Sequence, residues 1–301
     1  MKRKIEDLNL LDNFLFGSMV TRPEIGEKFV RLLLESIFNK EFGKLTIVPQ
    51  KEYPGIDTNY HGARLDVYVE ADSEENGLES ASVYDVEPEQ DDRKEMVQAL
   101  PKRTRFYHAK IDATSLGSGE TYKHLKNVIV VMIVPFDPFG KDRVVYTIRN
   151  MCQEEPGMPY DDGARTLFLY TKGTRGRSTK KLRELLHYME DTTEANAVNP
   201  SLRKIHNMVK AIKLNKEVSL SYMKIFEREE MLREEGRDEG RAEGRMEEQK
   251  NTERERIRAE EAERKADTAI RNLDTAMKKI EELTNQIFQM EQKRNVISPP
   301  D

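Results

Sequence analysis

The sequence predicts an α/β layer, a sheet covered by helices, followed by a long charged helical extension. Three observations carry this. Two alternating apolar runs, Arg64 to Glu70 and Ala81 to Glu87, sit between blocks with helical spacing. A later run, Val128 to Val134, is short, unbroken and rich in β-branched residues, as suits a strand buried on both faces. Beyond about Met223, apolar patterning gives way to charged repeats.

Phe14 to Phe38 reads as helix, with Asp12 as its N-cap, Pro23 in a first turn and Phe29, Leu32, Leu33 and Ile37 three and four apart. Gly43 ends that block and Leu45 to Val48 begins extended structure, broken at Pro49 and at Pro54-Gly55. The two alternating runs, joined by the acidic turn Ala71 to Gly77, form a hairpin. Glu95 to Leu116 returns to helix with a break at Pro101. Asp137 to Gly140 makes a turn, Val144 to Ile148 and Thr166 to Tyr170 make strands, and helices take over from Thr179.

In the C-terminal third, Gly236, Gly240 and Gly244 recur every fourth residue and fall on one helical stripe. Each glycine costs an isolated helix about 1 kcal/mol relative to alanine. The stripe is therefore either a seam for a second helix or part of a flexible charged linker. Ala266, Leu273, Ile280 and Ile287 then alternate with Ala269, Ala276, Leu283 and Met290 at heptad core positions. That pattern predicts self-association through a coiled coil.

Composition sets limits. Of 301 residues, 35% are charged and 37% hydrophobic, too polar for one core running end to end, so a long segment must be solvated. No apolar run approaches the roughly 20 residues that span a bilayer. The basic start, Met1 to Lys4, leads into mixed charge instead of an apolar stretch, so no secretory signal is expected. Cys152 is the only cysteine, which excludes an internal disulfide and multi-cysteine zinc sites and fits a cytoplasmic setting. The net charge of -5 gives no overall attraction to nucleic acid, so such a surface must come from local clusters. Three exist, at Lys102 to Arg105, Lys172 to Lys181 and Lys204 to Lys216.

The chemical clue is carboxylate placement. Asp66 and the series Asp85, Glu87 and Glu89 end neighbouring strands, and alternation puts Asp85 and Glu87 on one face. Pro88 is expected to end the strand, which leaves Glu89 less firmly placed. Acids also occur at strand ends simply beside turns. Two acids from adjacent strands can nevertheless share one hard cation such as Mg2+ or Mn2+, because such an ion takes few carboxylates and keeps water for hydrolysis. His61, His108, His124, His187 and His206 are scattered without ligand spacing.

With these residues in view, the chain resembles the PD-(D/E)XK nuclease family of transposase-associated, recombination-promoting proteins. The resemblance rests on Leu11 to Phe16, Arg64 to Val67, Val83 to Glu87, Leu100 to Tyr107, Ile111-Asp112, Pro135 to Gly140 and Phe168 to Gly173. It implies a restriction-endonuclease-like mixed sheet flanked by helices, with Asp66 and Glu87 as Mg2+ (or Mn2+) ligands and DNA as substrate. Glu35 would match a first-helix acid.

The family pattern continues from the glutamate to a lysine or glutamine two residues on, where this chain has Glu89, with Gln90 one step later. A lysine there would orient the attacking water and offset developing negative charge. Glu89 leaves several outcomes open: loss of catalysis, transfer of the role to Gln90 across a bulge at Pro88, recruitment of more metal, or entry of Lys94. The catalytic set expected from the resemblance is thus Asp66, Glu87, Glu89 and Gln90.

Arg103 and Tyr107 share a helical face with Arg105 and Lys110 nearby, so these four are candidates to hold the DNA backbone. Alternatively, Arg103 neutralises Asp66 or Glu87 internally. The readings divide the chain into a nuclease-like domain (1–222), a glycine-spaced charged helical linker (223–262) and a coiled coil (263–295). A module of the same fold that has lost catalysis, and binds DNA or protein instead, is the second reading.

Overall fold

Asp12 accepts hydrogen bonds from the backbone N–H groups of Phe14 and Leu15, at 3.0 and 3.4 Å, and so opens helix α1 (Asn13–Thr21). The computed structural model describes residues 4–55, 61–72 and 81–297. The single helix expected from Phe14 to Phe38 is two. Arg22, which precedes Pro23, is extended (φ -80, ψ 120) because the proline ring disfavours helical backbone before it. Pro23 therefore lies in the link, and α2 (Gly26–Phe38) starts after it. A Cβ on Gly26 would come within 2.3 Å of the Val20 carbonyl oxygen, so only glycine fits this close turn.

The chain then forms β1 (Leu45–Pro49), the short strands β2 (Glu52–Tyr53) and β3 (Ala63–Arg64), β4 (Val67–Ala71) and β5 (Ser82–Pro88). The strand expected over Arg64 to Glu70 is split at Leu65 and Asp66, because Arg64 pairs with Glu52 in a separate two-stranded sheet. The β4–β5 hairpin is antiparallel as expected. Its acidic turn falls largely outside the described residues.

After α3 (Lys94–Ser115) come β6 (Asn127–Val134), β7 (Val145–Ile148) and β8 (Ala164–Tyr170). Three helices follow: α4 (Lys180–Glu190), capped by Thr179, α5 (Pro200–Leu214), capped by Asn199, and α6 (Lys216–Ile297).

The main sheet has six strands in the order β1-β4-β5-β6-β8-β7, parallel between β5, β6 and β8 and antiparallel elsewhere. It is a mixed sheet with a helical layer on each face. On one face Val67, Val69, Tyr84, Val86, Ile129 and Val131 meet the apolar stripes of α1, α2, α4 and α5. On the other, Tyr68, Val83, Val128, Val130 and Met132 meet Leu100, Tyr107 and Ile111 of α3. β6 is buried along nearly its whole length, as its unbroken apolar run requires.

Pro101 does not break α3. The proline removes one backbone donor at a cost of roughly 3 kcal/mol in a free helix. Leu100, Thr104, Tyr107 and Ile111, three and four apart and buried against the sheet, outweigh that cost.

The chain divides into two compact units, Met1–Lys224 and Ile225–Asp301. The described part of the second is helical throughout, so the segment 223–262 is helix and not a flexible linker. A Cβ at Gly236, Gly240 or Gly244 would meet nothing within 4 Å. The helix itself therefore does not demand their small size. Leu273, Ile280, Leu283, Ile287 and Met290 are all more than half exposed, so the heptad face is open. Among the described residues no helix is long and apolar enough to cross a membrane.

Candidate active site

The hairpin register brings the acids together. Val67 stands opposite Val86, so Asp66, one step earlier, comes opposite Glu87. The Asp66 N–H donates to Oε1 of Glu87 at 2.6 Å, while its carbonyl accepts from the Gln50 N–H at 3.1 Å. Backbone bonds on both sides thus hold Asp66 at the mouth of the hairpin.

Alternation along β5 turns Val83, Asp85 and Glu87 toward α3. Asp85 is 0% and Glu87 1% exposed. Neither carboxyl oxygen of Asp85 makes a hydrogen bond. Burial, followed by the charge of Glu87, pushes the Asp85 carboxyl well above the usual carboxylate range. Burial and the charge of Asp66 raise Glu87 to about 8. Asp66 is raised as well, by burial, against the attraction of Arg103 and Arg64. Three carboxyl groups compete for one region, and at neutral pH Asp85 and Glu87 sit there largely protonated.

Arg103 is the local counter-charge. Its Nη1 donates to Glu89, its Nη2 approaches Glu87 Oε2 at 3.4 Å, and its Nε donates to the Tyr107 hydroxyl at 2.7 Å. Burial alone would lower Arg103, but Tyr107 and Glu89 outweigh it and hold the guanidinium above its ordinary pKa. Burial and the charge of Glu87 push Tyr107 up to about 12. The four-residue spacing of Arg103 and Tyr107 does put them on one face of α3. That face looks into the acid cluster, so the internal reading of Arg103 holds.

Glu89 is better placed than its sequence suggests. Pro88 pairs with Ile133 in regular register, and the Glu89 N–H donates to the Ile133 carbonyl at 2.9 Å. The ladder survives because the missing proline donor is one the neighbouring pairing does not use. Glu89 therefore keeps the alternation and reaches Arg103. The consecutive pairs leave no bulge at Pro88, and Gln90 is exposed, outside the cluster. Lys94 is exposed at the start of α3.

Of the other expected residues, Arg105 is exposed, and the Lys110 ammonium donates to the Pro54 carbonyl at 3.2 Å and lies over the Phe106 ring. Glu35 does not join the acids. It stands on α2, whose apolar stripe packs on the opposite face of the sheet from Glu87. Asp85 was legible as a neighbour of Glu87 through alternation. Its complete burial was not, because that depends on the whole of α3 lying across β5.

Among the described residues no group of three or more His, Cys, Asp or Glu side chains is arranged to hold a metal ion. Asp66 and Glu87 would give a cation two protein ligands and leave the rest to water, a set that suits Mg2+. The unbonded Asp85 oxygens and the raised Glu87 fit a place where added positive charge relieves repulsion. Comparison with protein-family models, characterised proteins and solved structures finds no match.

Proposed function

We propose that the chain is a cytoplasmic, metal-dependent DNA endonuclease of the PD-(D/E)XK type, with Asp66 and Glu87 as the ligands of Mg2+ or Mn2+. One observation carries the reading. Neighbouring strands deliver two acids to a single point, where burial and mutual repulsion keep Glu87 from ionising until about pH 8. When bound, the cation would supply an activated water and offset charge at the phosphate.

The chain's own residues would do the rest. Asp66 fixes the Glu87 carboxylate through its N–H, and Tyr107 and Glu89 hold Arg103 beside it. With glutamate where the family has lysine, Arg103 is the cation nearest the acids and takes over charge compensation. The exposed apolar positions of 263–295 serve self-association, which would hold two sites at fixed spacing for paired cuts.

A second reading, an inactive nuclease-fold module that binds DNA or protein, is favoured by the same Arg103. It already occupies Glu87 and Glu89, which lowers the gain from a cation. Supercoiled plasmid with Mg2+ or Mn2+ separates the two. The nuclease nicks it and the Asp66→Ala, Glu87→Ala variant does not. Undiminished nicking by that variant removes these residues from the chemistry, and DNA retention without nicking or metal uptake supports the inactive module.

A further inference from the structure

A second stripe of α3, one residue along from Arg103, borders a cleft of about 640 Å³ between α3, the end of β7 and β8. That volume suits a small-molecule or nucleotide-sized ligand. Its apolar floor includes Phe139 and Ile148, 37% and 49% exposed. Phe139 does not swing freely. Its ring is held edge-on by Tyr146 and Phe168, each with centroids 5.0 Å away.

Three arginines line the same cleft, Arg105 from α3, Arg149 after β7 and Arg165 from β8, and all three are exposed. Two carboxylates, Asp112 and Asp162, stand among them. Asp162 is engaged by the Asn150 amide at 2.7 Å and the Ala164 N–H at 3.0 Å. Arg165 also pairs with the exposed Asp161 at 3.3 Å, a solvated contact that a phosphate can displace. Positive charge therefore remains in excess at the rim. Inside, His108 bonds Thr166 through Nε2 at 3.0 Å, and its Nδ1 is buried with no hydrogen-bond partner.

A rigid aromatic plate, a guanidinium rim and an unused ring nitrogen form the combination that recognises a nucleotide: a flat base, an anionic phosphate and a polar base edge. We infer that the cleft binds one unpaired nucleotide of a nucleic-acid strand, with the base against Phe139 and Ile148 and the phosphate at Arg105, Arg149 and Arg165. A base within a duplex cannot reach such a plate without leaving its stack. The inference rests on the nuclease reading for the identity of the strand, and narrows that reading to single-stranded or locally opened DNA.

The test is fluorescence anisotropy of a labelled short oligothymidylate with full-length protein, at low salt and in EDTA so that no metal-dependent step contributes. Arg149→Glu with Arg165→Glu should weaken binding about tenfold or more, and Phe139→Ala several-fold. The arginine pair is exposed and leaves the fold intact, so it decides the matter if Phe139→Ala destabilises the chain. Unlabelled single strand should compete better than duplex of the same length, and thymidine monophosphate better than inorganic phosphate.

Equal competition by phosphate, or by duplex, or unchanged affinity in the arginine pair would overturn the inference, whether or not Asp66 and Glu87 prove to cut. Binding lost in the cleft variants but kept in Glu87→Gln, by a protein that fails to nick plasmid, would leave the cleft assigned and the hydrolytic reading alone refuted.

Discussion

The backbone N–H of Asp66 donates to the side chain of Glu87 at 2.6 Å, so one acid positions the other. The contact follows from the hairpin register and not from any local sequence motif. It also explains why the two can act as a unit: a shift of one residue in β4 would turn the opposing side chains away from each other.

Stability should fall with rising pH. Glu87 has a folded value of about 8 against an ordinary 4.5, so the native state holds its proton more firmly than the unfolded chain. The stability this proton provides is complete below about pH 4.5 and is lost as pH climbs through 8, an effect on the order of 3 kcal/mol. Asp85, raised for the same reason, adds in the same direction. Urea unfolding across this range should show the slope in the wild type without divalent metal and a flatter one in Glu87→Gln.

Arg103→Ala leaves Glu87 and Glu89 facing each other without a counter-charge. We expect a loss of roughly 3 kcal/mol at pH 8 and less at pH 5, where Glu87 is neutral. Combining it with Glu89→Ala should restore part of the loss, since the second change removes one of the stranded charges. Strict additivity in a double-mutant cycle by denaturant titration would mean that the clasp does no work.

Much of this frame was legible. Asp12 and Thr179 as caps, the β4–β5 hairpin and the buried β6 all follow from local chemistry and period, and the structure has them. What escaped depends on distant parts. Pro101 reads as a break because its cost is local, whereas the contacts that retain the helix lie on the sheet. Glu89 seemed loosely placed because nothing near Pro88 announces that Ile133 receives its N–H.

The candidate site divides the same way. Alternation pairs Asp85 with Glu87, and four-residue spacing pairs Arg103 with Tyr107. Whether that second pair faces DNA or the acids is set by the packing of α3, which spacing does not encode. The cleft at Phe139 draws on three separate elements and has no signature in any one of them.

The C-terminal helix gives an independent prediction. Leu273 and Ile280 are 62% and 63% exposed at successive heptad core positions. Leu273→Glu with Ile280→Glu should convert the protein to a monomer by light scattering, while leaving the fold of the first unit unchanged by circular dichroism. A wild type that is already monomeric at tens of micromolar would remove the coiled coil from the account.

The most direct test is calorimetric titration of the wild type with Mn2+ near pH 7, in buffers of different ionisation enthalpy. If Asp66 and Glu87 hold one cation, about one ion binds per chain and protons are released, because Glu87 must give up the proton that burial keeps on it. Asp66→Asn and Glu87→Gln should each abolish both signals. Metal uptake that persists in these variants, or none in the wild type, would contradict the shared cation.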